Sequence, residues 1–265
     1  MMASLVVLAC FSACKKDEQT SSSSLSSSIK NSAKTLAWET VLDGSSLANY
    51  AAFDANWNYL YPWGPSHNGS AKMVGSSTDH SQIYLSNNIL YLKATPIANP
   101  VDRFHYLSGT VWAKHIVNIT DQYPQYEIKG TFQCPSAKGT WPAFWISGTQ
   151  TWPPESDIME FKGNNTNWQN TFITSSNVQT VKTVVSSPAS WHVYRVWINK
   201  VNATEVDIHY YIDGAWKAVH RANFVNKPMW VIFDLQMEGS SGTPGPTGTT
   251  YLLGKDFYIG RTKAF

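Results

Sequence analysis

The sequence has little of what several protein classes depend on. Charged residues make up only 14% of the 265 residues, the net charge is +2, and the folded part contains no run of Lys or Arg. Because nucleic-acid binding needs a basic surface, we expect no nucleic-acid partner. There are only three cysteines, and no pair of Cys or His has metal-ligand spacing, so no disulfide within the folded part, resident metal or other cofactor is expected.

Long apolar runs are also missing. Residues 1–14, MMASLVVLACFSAC, are too short to span a bilayer and predict a secretion signal. The Ser12-Ala13-Cys14 ending, followed by polar KKDEQ, resembles the lipobox of bacterial lipoproteins, which implies a lipid on Cys14; an ordinary cleaved signal is the alternative. Lys16-Asp17-Glu18 resembles the surface-export tag of Bacteroidetes lipoproteins. We expect a secreted lipoprotein of the outer membrane or cell surface, in contact with the membrane only through its lipid.

The rest of the chain divides into a linker and one domain. Residues 15–34 are Ser-rich and cannot bury enough apolar surface to fold, so they are interpreted as a disordered tether. Residues 35–265 suit a single large domain, and a monomer is the default expectation.

Within this domain, short runs rich in β-branched and aromatic residues recur between turn residues. They show no long helical periodicity, which favours an all-β sandwich. Asp213-Gly214 is typical of a tight hairpin turn. The predicted strands are Gln82–Leu85, Ile89–Ala94, Gly109–Trp112, Gln125–Phe132, Asp157–Phe161, Thr171–Thr174, His192–Ile198, Glu205–Ile212, Met229–Leu235 and Phe257–Arg261.

The most informative segment is GTWPAFWISGTQTWPPESDIMEFKG, residues 139–163, where Glu155, Asp157 and Glu160 fall within six positions. On a regular strand, Glu155 and Asp157 share a face and Glu160 points the other way. A β-bulge shifts the register by one residue and would return Glu160 to the acidic face. Three acids on one face repel one another and are costly to bury, which indicates a chemical role.

Glycoside hydrolysis needs such a group of acids. In a retaining enzyme, one carboxylate attacks the anomeric carbon and a nearby protonated carboxyl protonates the leaving oxygen. Asp157, between the two glutamates, can hydrogen-bond the nucleophile and hold it oriented. Its negative charge also raises the pKa of a neighbouring carboxyl.

The segment resembles glycoside hydrolase family 16, because ESDIME matches the E-x-D-x-x-E signature and the GTWPAFW and WPPE context is laminarinase-like. The resemblance implies a concanavalin-like β-jelly roll, with two curved antiparallel sheets and an open cleft. By position it makes Glu155 the nucleophile, Glu160 the general acid/base and Asp157 the orienting carboxylate. Ser156 replaces a usual aliphatic residue and should face away from the cleft. Further similar segments are YLSGTVWAK at 106–114, WHVYRVW at 191–197, YIDG at 211–214 and MWVIFDLQMEGSSG at 229–242.

Aromatic residues supply the candidate sugar-binding groups, since the chain has twelve Trp and a Trp ring can stack on a sugar face. Trp141 and Trp145 suit core packing and the cleft about equally from sequence, and the resemblance favours the cleft. Trp57 and Trp63, in the loop NWNYLYPWG, are candidates for a substrate-binding rim. Gln236 is a further candidate on a strand. The family's structural calcium is doubtful here, because WETVLDG at 38–44 departs from the family pattern.

These patterns predict a retaining endo-hydrolase of a β-1,3- or mixed-linkage β-glucan. The alternative substrate is a β-linked galactan, such as agar, porphyran, carrageenan or a host glycan. A non-catalytic carbohydrate-binding jelly roll is a further alternative, although a lectin gains nothing from a crowded acid trio. A polysaccharide lyase is disfavoured, because no basic cluster is visible.

Overall fold

The computed structural model describes residues 36–265. The predicted signal peptide, the lipidated Cys14, the tether and the first residue of the predicted domain, Thr35, lie outside the described residues. Within the described range, no helix is long and apolar enough to cross a membrane.

Strands dominate the described residues, with one short α-helix, α1 (Tyr50–Asn56). In chain order the strands are β1 (Leu36–Leu42), β2 (Trp57–Tyr59), β3 (Ala71–Met73), β4 (Ile83–Ser86), β5 (Ile89–Val101), β6 (Phe104–Ser108), β7 (Thr110–Ala113), β8 (Gln125–Gln133), β9 (Thr140–Gly148), β10 (Glu155–Glu160), β11 (Thr166–Thr174), β12 (Asn177–Val184), β13 (His192–Lys200), β14 (Val206–Ile212), β15 (Ala215–Ala222), β16 (Met229–Met237) and β17 (Thr250–Ala264).

The strands form two sheets packed face to face. The cleft sheet has seven strands in the order β12-β11-β10-β9-β16-β7-β2. The outer sheet follows the order β15-β14-β13-β8-β17-β5-β6-β3, with β1 beside β17 and β4 beside β5. All pairings are antiparallel except that of β3 with β6. The all-β jelly roll expected from the sequence is confirmed.

The core between the sheets is aromatic. Phe132 of the outer sheet contacts Phe144 and Phe233 of the cleft sheet, with ring centroids 5.0 Å apart in both pairs. Phe257 closes the cluster at 5.4 Å from Phe132. All four side chains are almost wholly buried, and burying each such ring contributes roughly 1.5–3 kcal/mol to folding. This cluster holds β9 and β16, the centre of the cleft sheet, against the outer sheet.

Each predicted strand overlaps an observed one, and Asp213-Gly214 forms the predicted hairpin turn between β14 and β15, with positive φ values of 51° and 76°. The structure adds seven strands that were not predicted: β1, β2, β3, β6, β9, β12 and β15. Helix α1 was also missed; Asn49 caps it by accepting a hydrogen bond from the Ala52 amide. Cys134 is buried beside Met159 and packs as a small apolar side chain.

Candidate active site

The predicted β-bulge lies in β10. Asp157 pairs with Trp145 of β9, and Met159 pairs with the next residue, Phe144, so Ile158 has no partner of its own. The register shift returns the Glu160 side chain to the face that carries Glu155 and Asp157. All three acids line one open cavity of about 580 Å³ on the cleft sheet. The bulge prediction is confirmed, and the cavity gives the acids access to a ligand.

Each glutamate has its own hydrogen-bond donors. Trp152 Nε1 donates to Glu155 Oε2 over 2.8 Å. Trp141 Nε1 donates to Glu160 Oε1 over 2.7 Å, and Lys162 Nζ lies 3.0 Å from Glu160 Oε2. Donors fix the direction of a carboxylate and favour its ionised form. Glu160 is therefore held more firmly than Glu155 in this conformation.

Asn170 on β11 joins two of the acids. Its Nδ2 donates to Asp157 Oδ2 at 2.7 Å and to Glu160 Oε2 at 3.1 Å. Thr180 Oγ1 donates to Asn170 Oδ1 at 2.8 Å, which orients the amide with its NH₂ toward the carboxylates. The acid trio is thus supported from a neighbouring strand as well as from its own.

Burial of the carboxyls changes their protonation. It raises the pKa of Glu155 to about 7, with a further rise from the negative charge of Glu160 and opposing effects from Trp152 and Lys162. Burial also raises the pKa of Asp157 well above its usual value, and the charges of Glu160 and Glu155 add to this rise. Strongly shifted carboxyl pKa values that cluster in an open cleft are typical of a functional site.

A buried polar network supports β10 from behind. Ser156 faces away from the cleft, as predicted, and its Oγ lies 2.5 Å from the hydroxyl of Tyr210 on the outer sheet. Thr171 Oγ1 lies 2.5 Å from the same hydroxyl and 3.0 Å from His220 Nδ1. Hydrogen bonds between the two sheets thus replace the apolar contact that an aliphatic residue would make at position 156.

Three predicted aromatic residues lie in the cleft. Trp63, Trp141 and Trp145 all line the cavity with the acids. Trp63 is 43% exposed and lies edge-on to Trp145, whose Nε1 donates to Asp234 Oδ1 at 2.6 Å. Trp145 is only 5% exposed, and its ring stacks on that of His67 with centroids 5.6 Å apart. The substrate-binding role of the three rings stays a prediction.

The expectation for Trp57 was wrong. Its side chain is 2% exposed and packs in the core against Phe53 and Phe257, while its Nε1 donates to Ser46 Oγ. Trp57 begins β2 with its side chain on the inner face of the cleft sheet, so the ring is covered by the outer sheet.

The Gln236 side chain lies in the cavity wall, but its amide already makes hydrogen bonds within the protein. Its Oε1 accepts hydrogen bonds from the backbone amides of Ala71, at 2.8 Å, and Met237, at 3.0 Å. The side chain therefore anchors β3 to β16. Binding of a sugar hydroxyl by Gln236 stays a prediction, and it has only the Nε2 side of the amide to use.

Sequence analysis did not predict several of the residues that line the cavity. Asp234 is a fourth acid in the cleft; burial raises its pKa to about 7, and the charge of Glu160 adds to the rise. Its signal was a single carboxylate within the largely apolar run MWVIFDLQM. The other missed residues that line the cavity include Trp152, Lys162, Asn170 and Trp230.

The doubtful calcium site finds no support in the donor groups. Among residues 36–265, no group of three or more His, Cys, Asp or Glu side chains is arranged to hold a metal ion. Asp256 lies beside Gly44, but its carboxylate is 69% exposed and faces the Lys255 ammonium at 3.9 Å. Calcium also accepts backbone carbonyl ligands, so the expectation about calcium stays a prediction.

Comparisons with known proteins agree with this geometry. Residues 100–250 match the model of glycosyl hydrolases family 16. The chain is 39% identical over 225 residues to a galactan endo-β-1,3-galactanase from Flammulina velutipes, covering 81% of this chain and 88% of that protein. It is 25% identical over 217 residues to an endo-1,3-1,4-β-glycanase from Rhizobium meliloti, covering 71% of this chain and 43% of that one.

Solved structures share the fold. An endo-1,3-β-glucanase from Streptomyces sioyaensis superposes with a TM-score of 0.67 at 21% identity, covering 84% of this chain and 96% of that one. The laminarinase catalytic domain from Thermotoga maritima superposes with a TM-score of 0.64 at 18% identity, covering 86% and 99%.

Proposed function

The chain belongs to glycosyl hydrolases family 16, and on that premise we propose that it is a retaining endo-hydrolase whose substrate is a β-1,3-linked galactan. The observation that carries the chemistry is the bulge in β10, which brings Glu155, Asp157 and Glu160 to one face of an open cleft. An open cleft accepts a polymer along its length, which suits cleavage within the chain.

In the first step, Glu160 gives its proton to the leaving glycosidic oxygen while Glu155 attacks the anomeric carbon. The bond between that carbon and the leaving oxygen breaks, and a glycosyl ester on Glu155 forms. Trp152 Nε1, 2.8 Å from Glu155 Oε2, holds the nucleophile in direction.

In the second step, Glu160 is ionised and takes a proton from water as the water attacks the glycosyl ester. The resulting sugar keeps the β configuration. The donors on Glu160, from Trp141, Asn170 and Lys162, suit this ionised form. Asp157 and Glu160 both accept a hydrogen bond from the Asn170 amide. The role of Asp157 is therefore to keep that amide, and through it Glu160, in a fixed position.

The choice of a galactan rests on the 39% identity to the Flammulina velutipes enzyme over most of both chains. Galactose differs from glucose in its axial 4-hydroxyl, which leaves one face of the ring mostly C–H. Such a face stacks well on the indole rings that line this cleft. A β-1,3- or mixed-linkage glucan is the second candidate, supported by the weaker similarity to the Rhizobium meliloti glycanase.

Hydrolysis of a polymer panel tests this proposal. Purified protein from residue 35 onward should release oligosaccharides from linear β-1,3-galactan faster than from laminarin or lichenan, with product sizes that show internal cleavage. Glu160→Gln protein serves as the inactive control. Faster cleavage of a glucan would transfer the assignment to the second candidate. Tight binding of galactan without any cleavage by the wild-type protein would favour a carbohydrate-binding protein instead.

We also propose that Cys14 carries a lipid that anchors the enzyme to a membrane surface, on the support of the lipobox-like sequence alone. In a Gram-negative bacterial host, Cys14→Ser should abolish labelling by radioactive palmitate and move the protein out of the membrane fraction. Cys10→Ser is the matched control and should leave both unchanged. Membrane association and labelling that survive Cys14→Ser would contradict the proposal.

A further inference from the structure

One end of the cleft sheet carries a cluster of lysines around Trp168. Lys162 Nζ lies 4.8 Å from the centre of the Trp168 ring, and Lys182 Nζ lies 3.7 Å from it. Trp168 and Lys182 are paired directly across β11 and β12. Both ammonium groups thus lie within cation–π distance of one aromatic ring.

This cluster adjoins the catalytic acids. Trp168 is two residues before Asn170 on β11, so both side chains lie on the cleft face, where Asn170 contacts Asp157 and Glu160. Lys162 itself lines the cavity and lies 3.0 Å from Glu160 Oε2. Lys138, in the loop between β8 and β9, also lies near Lys162. Its backbone is beside Gly163 and its side chain is against Gly242.

The positive charge of the cluster is only partly neutralised within the protein. Lys162 is paired with Glu160, whereas neither Lys138 nor Lys182 forms an ion pair with any residue between 36 and 265. Lys138 and Lys182 are both exposed. Two ammonium groups, those of Lys138 and Lys182, are therefore free to meet a ligand at this end of the cleft.

We propose that Lys138, Lys162 and Lys182 form a binding site for an anionic substituent, a carboxylate or a sulfate, carried by the polysaccharide close to the cleaved bond on the Glu160 side. This inference rests on the proposed function and narrows the substrate to an acidic galactan. A neutral galactan would occupy the cleft without using these charges.

Matched substrates test the proposal. One pair is a glucuronate-bearing β-1,3-galactan oligosaccharide and its carboxyl-reduced form; the other is a sulfated oligosaccharide and its desulfated form. The ratio of kcat/KM within each pair should favour the anionic member and should fall toward one in about 1 M salt, where the Debye length is about 3 Å. The pair with the larger ratio identifies the anion.

Variants then assign the effect to the lysines. Lys182→Ala should lower the ratio by up to about fivefold, the effect of losing one exposed ion pair, and Lys182→Glu should lower it further. Lys263→Ala is the control: Lys263 also lies over an aromatic ring, that of Phe265, but at the end of the outer sheet, and its loss should not change the ratio. Wild-type ratios at or below one in both pairs, or a ratio unchanged in the Lys138→Ala, Lys182→Ala double variant, would overturn the proposal.

Failure of this inference can be told from failure of the proposed function. Cleavage of neutral galactan without any preference for the anionic member leaves the hydrolase intact and removes the anion site. If no galactan is cleaved, the affinity of Glu155→Gln protein for each member of the same pairs is measured by calorimetry. The ratio of affinities within each pair then replaces the ratio of kcat/KM. Equal affinities within each pair would then overturn the anion site as well.

Discussion

Glu155→Ala is expected to lower kcat by about 10³-fold or more, and added azide is expected to restore turnover with an α-glycosyl azide as the product. The substitution removes the carboxylate that attacks the anomeric carbon and leaves a space that azide can enter from the same face. One displacement by azide inverts a β-linked substrate, so the product is α. The measurement uses an aryl β-glycoside of a galactan disaccharide, with the anomer read by NMR.

Glu160→Ala should respond differently. The aryl leaving group needs no proton, so the glycosyl ester on Glu155 still forms, and its breakdown becomes slow because no general base remains. Azide needs no base; it should attack the ester from the Glu160 side and give a β-glycosyl azide. Both variants thus lose activity but yield azides of opposite configuration. Wild-type protein should release products that are β when first formed.

This pair of variants decides an assignment that the geometry alone leaves balanced. Glu160 has three donors, from Trp141, Asn170 and Lys162, whereas Glu155 has one, from Trp152. Both carboxylates thus have hydrogen-bond donors that fix their direction, and the donors do not separate the nucleophile from the acid/base. An α-azide from Glu160→Ala and a β-azide from Glu155→Ala would exchange the two roles.

The catalytic strand was the part of the site that the sequence predicted best. The odd spacing between Glu155 and Glu160 demanded a change of register, and the two observed partners across β9 show where it occurs. Asn170 and Thr180 could not be found in this way. Asn170 reaches the acids from β11, and Thr180 reaches Asn170 from β12. A hydrogen bond across strands depends on a register that no local pattern specifies.

The aromatic segment NWNYLYPWG, residues 56–64, shows a second limit of prediction from sequence. Trp57 and Trp63 are six residues apart in one loop, yet Trp57 is 2% exposed and Trp63 is 43% exposed. A large aromatic side chain gains by burial in a core and by stacking in a cleft, so its chemistry does not separate the two. The backbone separates them: β2 ends at Tyr59, and Leu60 has a positive φ of 65°, so the regular alternation of the strand stops before Trp63.

Asp157→Asn should lower kcat by about 10²-fold and at the same time stabilise the protein at neutral and alkaline pH. The loss of activity follows because Asn170 donates to both Asp157 and Glu160, and an amide at position 157 changes how that shared donor is held. A small misplacement of a catalytic group costs about 10²-fold in rate. KM should change much less than kcat, since the Asp157 side chain is only 6% exposed and is bonded to Asn170.

The gain in stability follows from the sign of the pKa shift. Burial and the charges of Glu160 and Glu155 raise the pKa of Asp157 in the folded state above its value of 3.8 in the unfolded chain. The proton that it retains stabilises the fold fully below pH 3.8, and this contribution is lost as the pH rises through the folded pKa. An asparagine has no such proton to lose. The free energy of unfolding of the variant, minus that of the wild type, should therefore increase between pH 4 and pH 8 in urea titrations.

The exposed Asp256, replaced by Asn, supplies the control, because its side chain is 69% exposed and lies outside the cleft. Its difference from the wild type should stay constant over the same pH range. A variant at position 157 that loses stability as the pH rises would mean that the carboxylate is a net stabiliser of the site. If the Asp157→Asn variant gains stability but keeps full kcat, Asp157 has no part in catalysis and is only a buried charge. We expect the variant to lose activity and to gain stability as the pH rises. That combination would show that Asp157 destabilises the fold and is kept because the reaction needs it.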